Sequence, residues 1–275
     1  MFLWGISWPT SKILTAYGQV EVITFGRFAV VFLSLLPLAI FIKGQLIVKR
    51  SGWLSLVAAS VLLAFYNFLF FSGLNVGLAG AGGVLVTTVN PVFAYLIGLI
   101  ISKKVLTRRV MLGLSFGLIA GFIQVEGWNS MDQLLQSGNI YFLTAALVWA
   151  ILSKITSQST QYGSNLGFSI WLYGLTTLIM FVYVDKNAVV QTIGNTDLRF
   201  WLNMGVSAIL SMTVATTVYF YATRILSAEK ASSYIFLVPV TAALSAMILL
   251  DEPLKWTTIV GGVLGIGAVI LLNKK

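Results

Sequence analysis

The sequence has 275 residues, about 58% of them hydrophobic, and only 17 Lys and Arg against 8 Asp and Glu, a net charge of +9. An average soluble domain is roughly 25% charged, so no water-facing fold absorbs this composition, and 18 Phe, 10 Tyr and 8 Trp exclude a disordered chain. The composition is that of an integral membrane protein, and the absence of Cys and His excludes disulfide, thiolate, Ser/His and HExxH zinc chemistry.

A bilayer core about 30 Å thick needs about 20 helical residues, and apolar runs of that order recur along the whole chain. The first, 2–17, contains Pro9 and Lys12 and has neither a basic leader nor an Ala-x-Ala site, so it reads as a retained helix. The second, 22–42, carries Arg27 five residues inside its start; the third, 53–74, carries Tyr66 and Asn67. The fourth, 81–101, holds Asn90, Pro91 and Tyr95, and the fifth, 110–126, spaces Gly113, Gly117 and Gly121 at four-residue intervals. Trp149 and Lys154 lie in the sixth, 139–156, which is followed by a seventh at 166–184. The eighth, 200–222, has Tyr219, the ninth, 232–250, has Tyr234 and Pro239, and the tenth, 257–272, has Gly261 and Gly265. All connections are short, leaving no room for an extramembrane domain.

Ten spans put both termini on one side, and the Lys and Arg bias selects that side. With cytoplasmic termini, 12 of the 17 basic residues fall inside, accompanied only by Glu229. The outer side receives Lys12, Arg27, Lys186, Arg199 and Lys255 with Glu21, Glu126, Asp132, Asp185, Asp197, Asp251 and Glu252. The expected localisation is therefore the cytoplasmic (inner) membrane, multi-pass, with both termini cytoplasmic.

A shift of 148 residues aligns Pro91 with Pro239, Gly113 with Gly261 and Gly117 with Gly265, so the halves read as copies of a five-helix unit. Because five is odd, the copies run in opposite directions through the membrane, an arrangement common among secondary transporters. In the same register Lys103 and Lys104 meet Asp251 and Glu252, the sign reversal expected of one unit in two orientations.

The stretch LSAEKASSYIFLVPVTAALSAMILLDEPLKWTTIVGGVLGIGAVILL at 226–272, the opening WGISWPTSK at 4–12 and the pair Arg27-Phe28 resemble the EamA-type members of the drug/metabolite transporter superfamily. The resemblance covers nearly the whole chain. It implies an all-α integral membrane protein of ten transmembrane helices in two inverted five-helix repeats around a central cavity. The expected division is 1–126 for the first repeat, 127–138 for an outer connecting loop and 139–275 for the second repeat. One departure is Lys104, which stands where the family usually has an acid near the end of helix 4.

Charge at membrane depth is costly and marks function by default. No acid falls at the centre of a predicted span, which disfavours aspartyl chemistry and proton-for-cation exchange. Lys12 and Arg27 each lie about 7.5 Å deep at 1.5 Å per residue; they either snorkel to the interface or face the cavity and hold a carboxylate or phosphate. Lys154, close to a span end, reads as an orientation signal. Asn67 and Asn90 must point into the bundle, for helix contact or for substrate. Trp8, Tyr66, Tyr95, Trp149, Tyr219 and Tyr234 complete the substrate-binding candidates, with membrane anchoring as the alternative for each. Pro91 and Pro239 each remove a backbone hydrogen bond in mid-helix and are candidate hinges. The Gly-x-x-x-Gly faces permit close helix packing or a dimer contact.

The function expected is a secondary transporter or facilitator of a small organic metabolite by alternating access. The preferred substrate is an amino acid or other carboxylate-bearing compound, and the direction implied by the resemblance is export. The alternative is a flippase for a lipid-linked phosphate or sugar. No catalytic residue, metal or cofactor is expected, and no nucleic acid; the partners are the lipid bilayer and the substrate, with the chain a monomer or a homodimer.

Overall fold

The computed structural model describes residues 1–41, 46–77, 79–102, 106–124, 126–128, 138–250 and 256–274. Among them every regular element is helical. The elements are α1 (Phe2–Leu14), α2 (Val20–Phe41), α3 (Trp53–Val76), α4 (Ala79–Ser102), α5 (Arg108–Gln124), α6 (Asn139–Thr156), α7 (Asn165–Tyr183), a short α8 (Lys186–Gly194), α9 (Leu198–Leu226), α10 over residues 228–250, and α11 (Trp256–Asn273). Each predicted span is helical, with ends displaced by four residues at most. The paired charges at 103–104 and 251–252, and all but the edges of the 127–138 connection, lie outside the described residues.

Among the described residues seven helices are long and apolar enough to cross a membrane: α2, α3, α4, α6, α7, α9 and α10. α1 has 13 residues and α5 has 17, and in α11 the apolar stretch among the described residues is Ile259–Asn273. α1 stops at Leu14, three residues before its predicted end, where Thr15–Gly18 turn the chain into α2. The connections are not uniformly plain either: α8 occupies the one before α9. Asp185 caps α8 by accepting from the Asn187 N–H, and Asp197 caps α9 by accepting from the Phe200 N–H at 2.7 Å, the carboxylate acceptors that helix starts favour.

Two helices depart from α geometry. The middle of α9, Gly205–Thr216, is π-helical, where π turns usually occur singly and often at functional sites. α10 consists of Ala228–Ser233, a 3-10 turn at Tyr234–Leu237 and Val238–Leu250, so the break lies directly before Pro239.

Outward faces are apolar, with Leu54 82% and Ile100 80% exposed; patches of this size suit lipid rather than water. Inside, α1 packs on α10 and α4 on α6; α3 meets α6 and α7; α1 and α2 meet α9; α2 lies on α7 and α5 on α11. The core built by Trp8, Phe28, Phe70, Phe71, Phe142, Trp149 and Tyr173 lies among these helices. Small residues set the closest approaches. A Cβ on Gly5 would lie 2.7 Å from the Ala242 backbone nitrogen, so α1 meets α10 almost backbone to backbone. Gly117 and Gly265 face Phe236, and Gly113 faces Leu272, so these glycines are engaged within the chain.

Candidate functional site

Arg27 lies two turns into α2 and is 3% exposed. Its guanidinium reaches three other helices. Nε and Nη2 donate to the Ser207 carbonyl of α9 at 3.2 and 3.0 Å, Nη1 to Asn67 Oδ1 of α3 at 2.9 Å, and Nη2 to Ser7 Oγ of α1 at 3.1 Å. Asn67 is oriented for this by its own Nδ2, which donates to the Leu63 carbonyl one turn back at 3.0 Å. Ser207 belongs to the π-helical stretch, and its hydroxyl is also paired, with Ser11 at 2.8 Å. Phe70 and Phe71 pack against the guanidinium, 5.4 and 5.5 Å from Cζ to ring centroid. All three acceptors are neutral: four of the five guanidinium N–H groups are solvated by the protein, and among the described residues no carboxylate is their partner.

Arg27 lines a cavity between α1, α2, α3, α4, α6, α9 and α10. Trp4, Trp8, Tyr66 and Trp149 supply aromatic walls, Val86, Met212, Ile235 and Val238 aliphatic ones, and Ser7, Thr87, Asn90, Ser211 and Thr216 polar edges. Its free volume is about 50 Å³, room for a few waters at roughly 10–15 Å³ each and too little for an organic solute. Trp4 donates Nε1 to Thr216 Oγ1 at 3.1 Å and stands edge-on to Trp149, 5.3 Å between centroids. Tyr66 lies 4.7 Å from Trp149 and Tyr219 lies 4.8 Å from Trp4. The Tyr219 hydroxyl is held by Ser153 at 3.0 Å and Ser232 at 3.3 Å. Asn90, 0% exposed, donates Nδ2 to the Ala146 carbonyl at 2.9 Å, while its Oδ1 accepts nothing among the described residues.

The structure thus brings Trp8, Arg27, Tyr66, Asn90 and Trp149 to one cavity, with Asn67 and Tyr219 directly behind it. Lys12 is elsewhere: its Nζ donates to the carbonyls of Leu74 and Gly77, the latter at 3.0 Å, at the C-terminal end of α3. Tyr95 and Tyr234 pack around Phe236, Val269 and Leu272, between α4, α5, α10 and α11. Pro91 lies within an unbroken α4, whereas Pro239 follows the 3-10 turn of α10. Sequence reasoning passed over Ser7, Ser207, Ser211 and Thr216; serines and threonines are scattered along these helices, and only the fold separates those facing Arg27.

Two further charges meet away from the cavity. Glu229, in the first turn of α10, is 2% exposed although it sits at a helix end, and its Oε1 is 4.0 Å from Lys154 Nζ of α6. Lys154 therefore has a carboxylate neighbour beyond any part in orientation. In the turn after α1, Tyr17 donates its hydroxyl to Asp197 Oδ1 at 2.8 Å. The Phe200 N–H and this hydroxyl hold the Asp197 carboxyl below its ordinary range, and the bond to Asp197 raises the Tyr17 phenol.

A model of the EamA-like transporter family matches residues 1–124 and 136–274. The uncharacterized transporter YvbV of Bacillus subtilis (strain 168) is 24% identical over 292 residues, covering 100% of this chain and 89% of its own. YyaM of the same organism, also an uncharacterized transporter, is 23% identical over 97% of this chain and 88% of its own. An uncharacterized transporter of Archaeoglobus fulgidus is 24% identical over 98% of this chain and 94% of its own. A crystal structure described only as that of a protein superposes with a TM-score of 0.66 at 16% identity, over 99% of this chain and 94% of that one, a likeness of fold. Apolar outer faces, helices long enough to cross a bilayer and a family match over nearly the full length lead to one conclusion: the chain is a multi-pass membrane protein and belongs to the EamA-like transporter family.

Proposed function

We propose that the chain is a secondary transporter for a small carboxylate-bearing metabolite, an amino acid in the first place, and that it works by alternating access in the direction of export. The observation that carries this reading is the Arg27 guanidinium: buried, facing the cavity and, among the described residues, hydrogen-bonded to neutral acceptors alone. A buried cation without a counter-ion is expensive; a substrate carboxylate would supply the missing charge through the remaining N–H and by exchange with Ser7. The free Asn90 Oδ1 offers an acceptor for an ammonium, and Trp and Tyr walls suit its apolar remainder.

Alternating access rests on ten spans in two inverted repeats, with α1, α5 and α11 also crossing. The packing supports it. Exchange of α1 with α6, α2 with α7, α3 with α9, α4 with α10 and α5 with α11 converts each principal helix contact into another that is present. The family match likewise falls into two spans. Both termini are taken as cytoplasmic from the Lys and Arg bias, and the cavity's free volume fits a conformation closed to solutes.

Counterflow in proteoliposomes across amino acids, other carboxylates, nucleosides and sugar phosphates tests the reading. Carboxylate-bearing solutes exchange and their amides do not. Transport confined to uncharged solutes, or to lipid-linked phosphates, overturns it.

A further inference from the structure

Lys12 and Lys154 occupy corresponding places. The tripeptides Ser11-Lys12-Ile13 and Ser153-Lys154-Ile155 match, and each lysine lies in the last turn of its helix, α1 or α6. Lys12 Nζ grips the carbonyls of Leu74 and Gly77, where α3 hands over to α4. Lys154 Nζ faces Glu229 at 4.0 Å, where α9 hands over to α10. In the exchange of halves that relates the packing, α3–α4 corresponds to α9–α10. Each lysine therefore reaches the same junction of its own half, and the two junctions lie at opposite ends of the bundle.

The chemistry at each end is suited to a releasable hold. On the Lys12 side the acceptors are the carbonyls at a helix C-terminus, which attract a cation through the helix dipole. On the other side the acceptor is a carboxylate clamped by α4: a Cβ on Gly98 would lie 2.5 Å from Glu229 Oε1. The α9–α10 junction itself turns at Ser227, with φ 83° and ψ 157°, a conformation that residues other than Gly rarely hold and that clusters at switching segments.

We propose that Lys12 and Lys154 are paired latches, one at each membrane face, and that each must release its junction before the cavity opens to that face. The proposal builds on the alternating-access reading above but not on the identity of the substrate. Both latches are engaged here, in keeping with a cavity that admits only a few waters.

The test uses the full chain in sealed proteoliposomes with one reporter cysteine, Ser211→Cys, in the cavity wall; the sequence has no other cysteine. The readout is its labelling rate by a membrane-impermeant thiol reagent added to one face at a time. Lys154→Met should raise the rate from the face bearing the α6–α7 connection by roughly fivefold, as expected of a shifted two-state equilibrium. Lys12→Met should do the same from the face bearing the α1–α2 connection. The exchange Lys154→Glu with Glu229→Lys should bring the first rate back to that of the latched parent, the protein with both native residues, and protects the test against a Lys154→Met protein that merely misfolds. Rates unchanged from both faces, both variants acting on one face, or no recovery in a monodisperse exchange variant would overturn the proposal. No solute enters this measurement, so its failure and a failure of Arg27 to select carboxylates are separate results.

Discussion

Replacing Arg27 by Met sets two large terms against each other. Removing the guanidinium leaves the Ser207 carbonyl and Asn67 Oδ1 without their donors, at about 1–3 kcal/mol for each buried acceptor. It also relieves the burial of an ion, which in real proteins costs several kcal/mol. These terms nearly cancel, so the expected change in thermal midpoint in detergent is small for either sign. Binding has no such compensation. Truncating one partner of a buried, hydrogen-bonded charge pair costs about 2–5 kcal/mol, which at 1.4 kcal/mol per tenfold weakens a carboxylate substrate by roughly thirtyfold to a few thousandfold. Arg27→Lys keeps the charge but loses the fork that spans three helices, and should fall between. Affinity is measured by competition in counterflow, with the fluorescence of Trp4, Trp8 and Trp149 as an independent signal from the cavity wall. A folded Arg27→Met protein that binds the wild-type substrate within threefold would refute the assignment of the anion site.

Two other outcomes follow from the cavity and its periphery. Asn90→Leu removes the free acceptor, so an amino acid should bind roughly ten- to a hundredfold more weakly, the value of one hydrogen bond to a charged group; its des-amino analogue should be affected far less. Equal losses for both in competition assays would remove Asn90 from substrate recognition. The tether between Tyr17 and Asp197 is pH-dependent in a defined sense. Because the Asp197 carboxyl is held below its ordinary value, its stabilisation is present above a pH of about 3.9 and is lost as pH falls through the lower folded value. Because the Tyr17 phenol is raised, its part is present below a pH of about 10 and is lost as pH rises through the folded value. Midpoints of wild type and Asp197→Ala should differ at neutral pH and converge at the acid end; a constant gap would contradict the tether.

The helices were legible because their apolar runs are long and their boundaries are marked by charge, and all ten predicted segments are helical. Faces were not legible. A helix that is apolar all round has no preferred side in its pattern, so Tyr66, Tyr95 and Tyr234 looked alike, yet only Tyr66 lines the cavity. Lys12 and Arg27 looked like twins by depth. The difference arises because α1 ends at Leu14, leaving Lys12 in a last turn beside the α3 C-terminus, while Arg27 continues two turns into α2. The serine at 207 that receives Arg27 is 180 residues away in sequence, and its π-helical setting has no local signature. α8 went unread because its nine residues mix Val189, Val190 and Ile193 with polar neighbours.

Neutral acceptors and a carboxylate are not equivalent partners for a buried guanidinium. The carbonyl of Ser207 and the amide of Asn67 satisfy N–H groups but leave the positive charge uncancelled; an acid there would cancel it and with it the attraction for an anion. Glu229 is buried too, but it faces Lys154 at the end of the bundle rather than Arg27. A substrate whose only charge is its carboxylate therefore brings the site close to neutrality while it is closed off from both faces, and the loaded form is then the less costly one to hold within the membrane; a zwitterionic amino acid pairs the guanidinium but brings an ammonium of its own, so it leaves the net charge unchanged. The empty form keeps its uncompensated charge through the same rearrangement. For a singly charged carboxylate such as the des-amino analogue, exchange against itself should accordingly outpace net efflux into substrate-free buffer, and Arg27→Met, having no charge to compensate, should narrow the difference in whatever transport it retains. Parallel tracer measurements under the two conditions decide this, and net efflux as fast as exchange in the wild type would show that the empty carrier reorients without the penalty argued here.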